Sequence, residues 1–318
     1  MTTLRENPLF ARLAGARSVL IAGAGGGFDV YAGLPLALAM RAERRQVHLA
    51  NLSFSRLEPD LAWVAPDVAE VGPDSPGAAD YFPERTLARW LDSRGLPPAV
   101  HAFRRTGARP LREAYLALVQ ALEVDAVVLV DGGTDILMRG DEAGLGTPEE
   151  DISSLAALAG LDEVPVRLVC CIGFGVDAYH GVSHALFLEN VAALERAGGY
   201  LGAFSVPKGS DEGVAFLEAV EHAQEETPRR PSIVNGSIAA AVRGEFGDVR
   251  FTHRTAGGEL FINPLMGIYF AFDLPAVAGH CLYLDRVAAT ESFREVQAAV
   301  EAHLFMLDGH RPSRPFPH

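Results

Sequence analysis

Short apolar runs, each ended by glycine or an acid and followed by a stretch of helical spacing, recur along the chain. Ser18 to Gly23 reads SVLIAG and closes in Gly23-Ala24-Gly25-Gly26-Gly27. Helical spacing takes over near Val30 and runs through Leu36, Leu38 and Met40 to about Arg45, and Gln46 to Asn51 resumes strand character. A right-handed crossover of this length predicts that the two strands are parallel. From Pro110 the alternation is regular. A helix is expected over Leu111 to Leu122, with Leu111, Tyr115, Leu118 and Leu122 on one face, and then a strand over Ala126 to Val130. Thr147-Pro148-Glu149-Glu150 reads as a helix start, with a Thr N-cap, Pro at N1 and Glu at N3, and with Leu155, Leu158 and Ala159 supplying the apolar face.

The next strand is expected over Val166 to Ile172, then a helix from about Ser183 to Ala197, a strand over Leu201 to Val206 and a helix over Asp211 to Glu225. Beyond these come a helix near Ser237 to Arg243, a short strand around Val249 to Thr252, a strand pair or bent strand over Phe261 to Phe272, and an amphipathic helix over Ser292 to Leu307. Strands alternating with helices predict an α/β class: a Rossmann-like open, mainly parallel sheet with helices on both faces.

Two stretches depart from this rhythm. Between Leu57 and Gly107 prolines recur at 59, 66, 73, 76, 83, 97 and 98, with a loop at Gly72 to Gly77, a helix expected over Pro83 to Leu91 and an extended piece over Pro98 to Phe103. Such proline density suggests a lid or an elaboration over the sheet, so residues 1–318 are read as a single domain elaborated at about 57–107. The tail, Arg311 to His318, holds Pro312, Pro315 and Pro317 and is expected to fray.

Composition narrows the function classes. Lys+Arg of 27 against Asp+Glu of 41 gives 27 − 41 = −14 over 318 residues, which argues against nucleic acid or an anionic membrane as partner. A phosphorylated small molecule stays open, because it needs only a local group of N–H donors or a metal. Cys170, Cys171 and Cys281 form no disulfide framework and point to a reducing cytoplasm. Arg5, Arg12 and Arg17 precede the apolar run Val19 to Ala22, but no h-region of signal-peptide length follows. Phe261 to Leu284 is interrupted by Asn263, Pro264, Asp273, Pro275 and His280, whereas a membrane helix needs about 20 predominantly apolar residues. A soluble cytoplasmic protein is expected, and a homo-oligomer is compatible with the chain.

Three loops carry the candidate chemistry. Gly25, Gly26 and Gly27 lie between a strand and a helix, where backbone N–H groups suit an anion. As a dinucleotide fingerprint the loop fails. Phe28 stands where the last glycine belongs, and Asn51 stands where the ribose-binding acid belongs, so NAD and FAD are not expected. The second loop, Asp131-Gly132-Gly133-Thr134-Asp135, ends an apolar strand abruptly, with Asp141, Glu142 and Asp151 beyond it. Carboxylates at a strand end suit Mg²⁺ or Mn²⁺, or an acid/base pair. Asp141 and Glu142 read as solvated, and Asp151 as a first-turn helix charge. The third loop runs from Gly173 through Asp177 and His180 to His184. It offers a further carboxylate and a general acid/base, with Ser183 as the N-cap of the following helix. Cys170 and Cys171 point to opposite faces of their strand and read as structural. In Asn235-Gly236-Ser237, a polar loop opening a helix, Asn235 is a ligand-binding candidate or a simple cap.

Three segments together resemble an uncharacterised archaeal and bacterial family, the domain of unknown function numbered eleven fifty-two: Gly23 to Ala37, Val130 to Asp151, and Ala239 to Asp273. In that family the first motif is glycines followed by Asp-Val, matched here by Gly25, Gly26, Gly27, Asp29 and Val30 with Phe28 inserted. Its central motif is similar to Asp131, Gly132, Gly133 and Asp135, with Thr134 interposed. The resemblance implies one family-length unit with a site and no named reaction. A shorter likeness of the same turn to the D-glutamate cyclase-like group implies a metal-assisted reaction on a small acid.

The expectation is a metal-assisted enzyme of hydrolase or lyase type acting on a small anionic metabolite such as a nucleotide or sugar phosphate. Asp131, Asp135 and His180 are its catalytic candidates, and Asp29, Asp131, Asp135 and Asp177 its metal ligands. Gly25, Gly26, Gly27, Asp29, Gly132, Gly133, Thr134 and Asn235 are the ligand-binding candidates. The alternative is a nucleotide- or anion-binding regulatory protein without catalysis.

Overall fold

The computed structural model describes residues 6–252 and 260–313. From the N-terminus the elements are α1 (Pro8–Leu13), β1 (Ser18–Gly23), α2 (Asp29–Ala32), α3 (Leu34–Ala42) and β2 (Gln46–Leu52). The strands β3 (Ala62–Ala65) and β4 (Val68–Val71) precede α4 (Pro83–Ser93), β5 (Val100–Phe103) and α5 (Ala108–Ala121). Next come β6 (Ala126–Gly132), α6 (Pro148–Ala159), β7 (Val166–Ile172), α7 (His184–Arg196), β8 (Tyr200–Ser205), α8 (Asp211–Glu226) and α9 (Ile233–Arg243). The last are β9 (Gly247–Asp248), β10 (Phe261–Ile262), β11 (Ile268–Asp273), α10 (Leu274–His280), α11 (Leu284–Ala288) and α12 (Phe293–Phe305).

A nine-stranded sheet in the order β3-β4-β5-β2-β1-β6-β7-β11-β8 forms the centre, and β9 and β10 make a separate ribbon. The five strands β5, β2, β1, β6 and β7 are mutually parallel. At the margins the pairing is antiparallel, β4 with β5 on one side and β11 with β7 and β8 on the other. This is the expected α/β, Rossmann-like architecture. Period-two alternation sorts side chains between two apolar layers. Leu20, Ala22, Val127 and Leu129 face α5, α6 and the C-terminal helices, whereas Val19, Ile21, Val128 and Val130 face the layer of α3 and α8. Cys170 and Cys171 divide between the same two layers, both buried.

Several local expectations change. The helix read from Val30 to Arg45 is two helices, because Pro35 has no N–H to give and the chain restarts at Leu34 after Gly33. A Cβ at Gly33 would lie 2.5 Å from the Ile21 side chain, so the break also lets the chain approach β1. The Pro-rich stretch widens the sheet with β3, β4 and β5 instead of forming a lid, because its prolines fall between the strands. Helix α9 begins at Ile233, capped by the Ser232 hydroxyl, so Asn235 sits in its first turn and not in a loop. No strand covers Val249 to Thr252; pairing is confined to Gly247–Asp248 against β10. Phe261 to Phe272 contains two strands in different sheets, separated by a 3-10 turn at Pro264–Gly267.

The tail also departs from expectation at its start. Arg311 is held by Asp141, Glu142 and Glu189, with its donor to the Glu142 carboxylate at 2.5 Å. Residues 314–318, the rest of the expected fray, lie outside the described residues. Among the described residues no helix is long and apolar enough to cross a membrane.

Candidate functional site

Because β2 and β6 flank β1 on opposite sides, the loops leaving β1 and β6 diverge, and a crevice opens at the carboxyl ends of the strands. A cavity of about 640 Å³ occupies this crevice. All three loops singled out in the sequence reach it: Gly25 to Asp29, Asp131 with Gly132 and Asp135, and Asp177 with His180. Glu150 and Asp151 come from the start of α6, and Phe54, Tyr81, Arg105 and Arg230 complete the outer wall. A second cavity, of about 510 Å³ and lined by Arg17, Ser18 and Gln46, lies at the opposite end of the strands, where open α/β sheets do not place their ligands.

On the cavity floor, oxygens of Asp29, Asp131 and Asp151 lie within 4.8 Å of one another. Glycines make room for them. A Cβ at Gly25 would stand 2.8 Å from the Asp29 carboxylate and 2.9 Å from that of Asp151. At Gly132 it would stand 2.9 Å from Asp29, and at Gly133 2.8 Å from Asp177. The Asp-Gly-Gly turn is thus short of side chains because carboxylates fill the space they would need.

Backbone amides orient the acids. The Gly25 N–H donates to Asp29 Oδ2 at 2.7 Å, and the Ile136 N–H donates to Asp131 Oδ2 at 3.3 Å. The Thr147 N–H donates to Asp135 Oδ2 at 2.8 Å, with the Thr147 hydroxyl on the same oxygen at 3.4 Å. Thr147 therefore spends its side chain on Asp135 and does not cap α6 as its position suggested. The Thr134 N–H and hydroxyl donate to Asp177 Oδ2, at 2.7 and 3.3 Å. Asp151 differs: its Oδ1 is buried with no hydrogen-bond partner.

The electrostatics follow from crowding. Burial, opposed by the Gly25 amide and reinforced by Asp135, raises the Asp29 pKa to about 7. Burial lifts Asp131, Asp151 and Asp177 well above the ordinary carboxylate range, and their acidic neighbours push the same way. Asp135 is also raised by burial, against the opposing pull of its bond to Thr147. Two unit charges at such separations repel by roughly 3 kcal/mol at an effective dielectric constant of about 20. A set like this either retains protons or surrounds a cation. Oxygen-only ligands suit a hard divalent ion, Mg²⁺ or Mn²⁺.

Asp151, read as a charge on the helix dipole, is a member of the close triad, while Asp135 and Asp177 stand beside it with an oxygen each tied to backbone amides. Thr134 braces Asp177 from behind the wall, and Gly133 leaves the room that the Asp177 carboxylate fills. Asn235 donates to the Phe28 carbonyl at 3.0 Å and so supports the glycine loop from outside the cavity. His180 lines the cavity and is exposed, whereas His184 packs edge-on against Phe174 at 5.1 Å.

Glu142, read as solvated, is fully buried. It accepts the Arg139 and Gly140 N–H groups, binds Asn190 and pairs with Arg311. Asn51, at the position where a ribose-binding acid was expected, donates to the Gly27 carbonyl at 2.8 Å and to Glu84 at 2.7 Å. Burial raises Glu84 to about 7 despite that bond. An acid at position 51 would put two buried carboxylates together, which accounts for the amide. Sequence reasoning missed Asp151, Phe54, Tyr81, Arg105 and Arg230. Only Asp151 left a signal, as an acid that helix-dipole chemistry explained too readily.

The sequence model of a family described as "Protein of unknown function (DUF1152)" matches residues 87–307. The chain belongs to that family. Asp131, Asp135, Asp151 and Asp177 fall within the matched span, and the glycine loop with Asp29 precedes it. No curated protein and no solved structure matches the chain.

Proposed function

We propose that this protein is a divalent-metal-dependent enzyme of hydrolase or lyase type, acting on a small anionic metabolite such as a nucleotide or sugar phosphate. The observation that carries the reading is the close triad of Asp29, Asp131 and Asp151, of which Asp151 keeps a buried Oδ1 with no hydrogen-bond partner. A cation there would neutralise the mutual repulsion, draw in an anion that the bare carboxylates would repel, and act as a Lewis acid or lower the pKa of bound water. Asp135 and His180 line the same cavity and supply proton-transfer groups beside the triad.

Calorimetric titration of the full chain with Mn²⁺ tests this. Binding is expected in the wild type and lost in Asp131→Asn and Asp151→Asn; a wild type that binds neither Mn²⁺ nor Mg²⁺ defeats the proposal. The alternative, anion binding without turnover, draws on the exposure of His180, which leaves the general acid/base of the set open to solvent. Stabilisation by nucleotides with no product formed from any of them favours that second reading.

A further inference from the structure

The cavity has two chemically different parts, and the outer one is not needed to hold a metal. Phe54 lies two residues beyond β2 and stays 46 % exposed although its ring packs on the glycine loop. Gly26 and Gly27 have φ of +84° and +60°, and a Cβ at Gly26 would lie 2.7 Å from Phe54 Cε1. Loop and ring are thus fitted to each other. Tyr81 approaches Gly27 from the α4 side, where a Cβ would meet its hydroxyl at 3.0 Å, and its ring stands edge-on to Phe28 at 5.6 Å.

A guanidinium attends Phe54 and Tyr81. Arg230 lies 5.6 Å over Tyr81, and Arg105 lies 5.6 Å over Phe54 while also pairing with Glu150 at 3.2 Å. The wall therefore offers aromatic faces and cationic donors a short way out from a floor of carboxylates.

We infer that this site takes a nucleoside phosphate, with the phosphate on the cation side and the base against Phe54 and Tyr81. The inference rests on the metal-site reading above for the phosphate end alone. A half-exposed phenylalanine in a concave wall leaves apolar area wet that a stacked base would cover. A sugar phosphate has no planar face to do so. On a chain of net charge −14, with carboxylates on the cavity floor, an anionic group is favoured by the rim guanidiniums and, where one is bound, by the cation. The recognition tolerates any base, because every base has a π-face.

The test is calorimetry on the full chain at saturating Mn²⁺, with AMP, GMP, CMP, UMP and ribose 5-phosphate as ligands. At least one nucleotide is expected to bind tenfold or more tightly than ribose 5-phosphate. Phe54→Ala should reduce that preference to less than threefold, with the nucleotide losing more affinity than ribose 5-phosphate, and Phe54→Trp should retain it. Thermal melting of each variant controls for folding. Equal affinities, equal weakening of both ligand types by Phe54→Ala, or no binding by any nucleotide overturns the inference. Failure of the metal reading shows separately, as absence of Mn²⁺ binding before any nucleotide is added. A nucleotide preference that persists in EDTA and is lost in Phe54→Ala would uphold the nucleoside assignment without the cation.

Discussion

Thr134 gives its backbone N–H to the Asp177 carboxylate at 2.7 Å, and so joins the turn after β6 to the loop after β7. The bond holds one carboxylate beside the triad without any arginine or lysine. Its hydroxyl adds a second donor to the same oxygen at 3.3 Å. Thr134→Val keeps the backbone bond and removes the hydroxyl, leaving a buried carboxylate oxygen short of a donor. A loss of about 1 kcal/mol is expected in urea unfolding of the metal-free protein. A loss above about 3 kcal/mol would mean that the hydroxyl does more than bind Asp177.

Stability should depend on pH in a direction opposite to that of a salt-bridged protein. Asp29 in the folded state titrates at about 7, and Asp131, Asp135, Asp151 and Asp177 are also raised. Unfolded carboxylates titrate near about 4, so the folded protein retains protons that the unfolded chain has lost. This contribution is full below the unfolded value and is lost as pH rises through about 7. Urea unfolding without metal should therefore show the acid cluster costing stability between pH 5.5 and pH 8, with the slope reduced in Asp151→Asn. Saturating Mn²⁺ should stabilise the protein more at pH 8 than at pH 5.5, since the cation competes with protons. A cluster variant with an unchanged slope would contradict the assignment.

Gly25→Ala tests the geometry of the floor. Its Cβ would fall 2.8 to 3.0 Å from the Asp29 and Asp151 oxygens, and those carboxylates would have to move apart. Mn²⁺ affinity should drop by tenfold or more, since coordination tolerates little displacement. Circular dichroism should remain that of the wild type. Unchanged affinity would place the cation elsewhere.

Asn51→Asp tests why this loop departs from the dinucleotide pattern. The change restores the acid of that pattern but sets it against Glu84, which is fully buried and already raised to about 7. Destabilisation of about 3 kcal/mol or more is expected at pH 8, with partial recovery in Asn51→Asp/Glu84→Gln. Isothermal titration should detect no gain of NAD binding, because Phe28 still occupies the last glycine position of the fingerprint.

Arg311 is the cation that neutralises Glu142, a fully buried acid that also accepts two backbone N–H groups. Removing the guanidinium in Arg311→Ala leaves that charge buried and should cost about 3 kcal/mol. Arg311→Ala/Glu142→Gln should recover part of the loss in a thermal melt. An additive double variant would show that the pair is not coupled.

The chain by itself determined the elements that depend on local pattern. The runs Ser18 to Gly23, Ala126 to Val130 and Val166 to Ile172 read as buried strands and are so, the middle one extending to Gly132, and the Ser183 hydroxyl caps its helix as its place before apolar periodicity suggests. The loops carrying Asp29, Asp131 and Asp177 were legible for the same reason, since carboxylates and glycines interrupting an apolar strand have few local uses.

What tertiary structure alone decided is which polar groups end up buried together. Asp151 and Glu142 look like ordinary surface acids in sequence, because a charge on a first helical turn or in a loop is usually solvated. The packing of α6 against the strand ends and the return of Arg311 bury them. Phe54, Tyr81, Arg105 and Arg230 come from four separate loops, and no spacing along the chain records that they share one wall. Periodicity reports on a residue's own element. Burial of charge depends on elements distant in sequence, and that dependence separates the three acidic loops visible in the chain from the cavity they enclose.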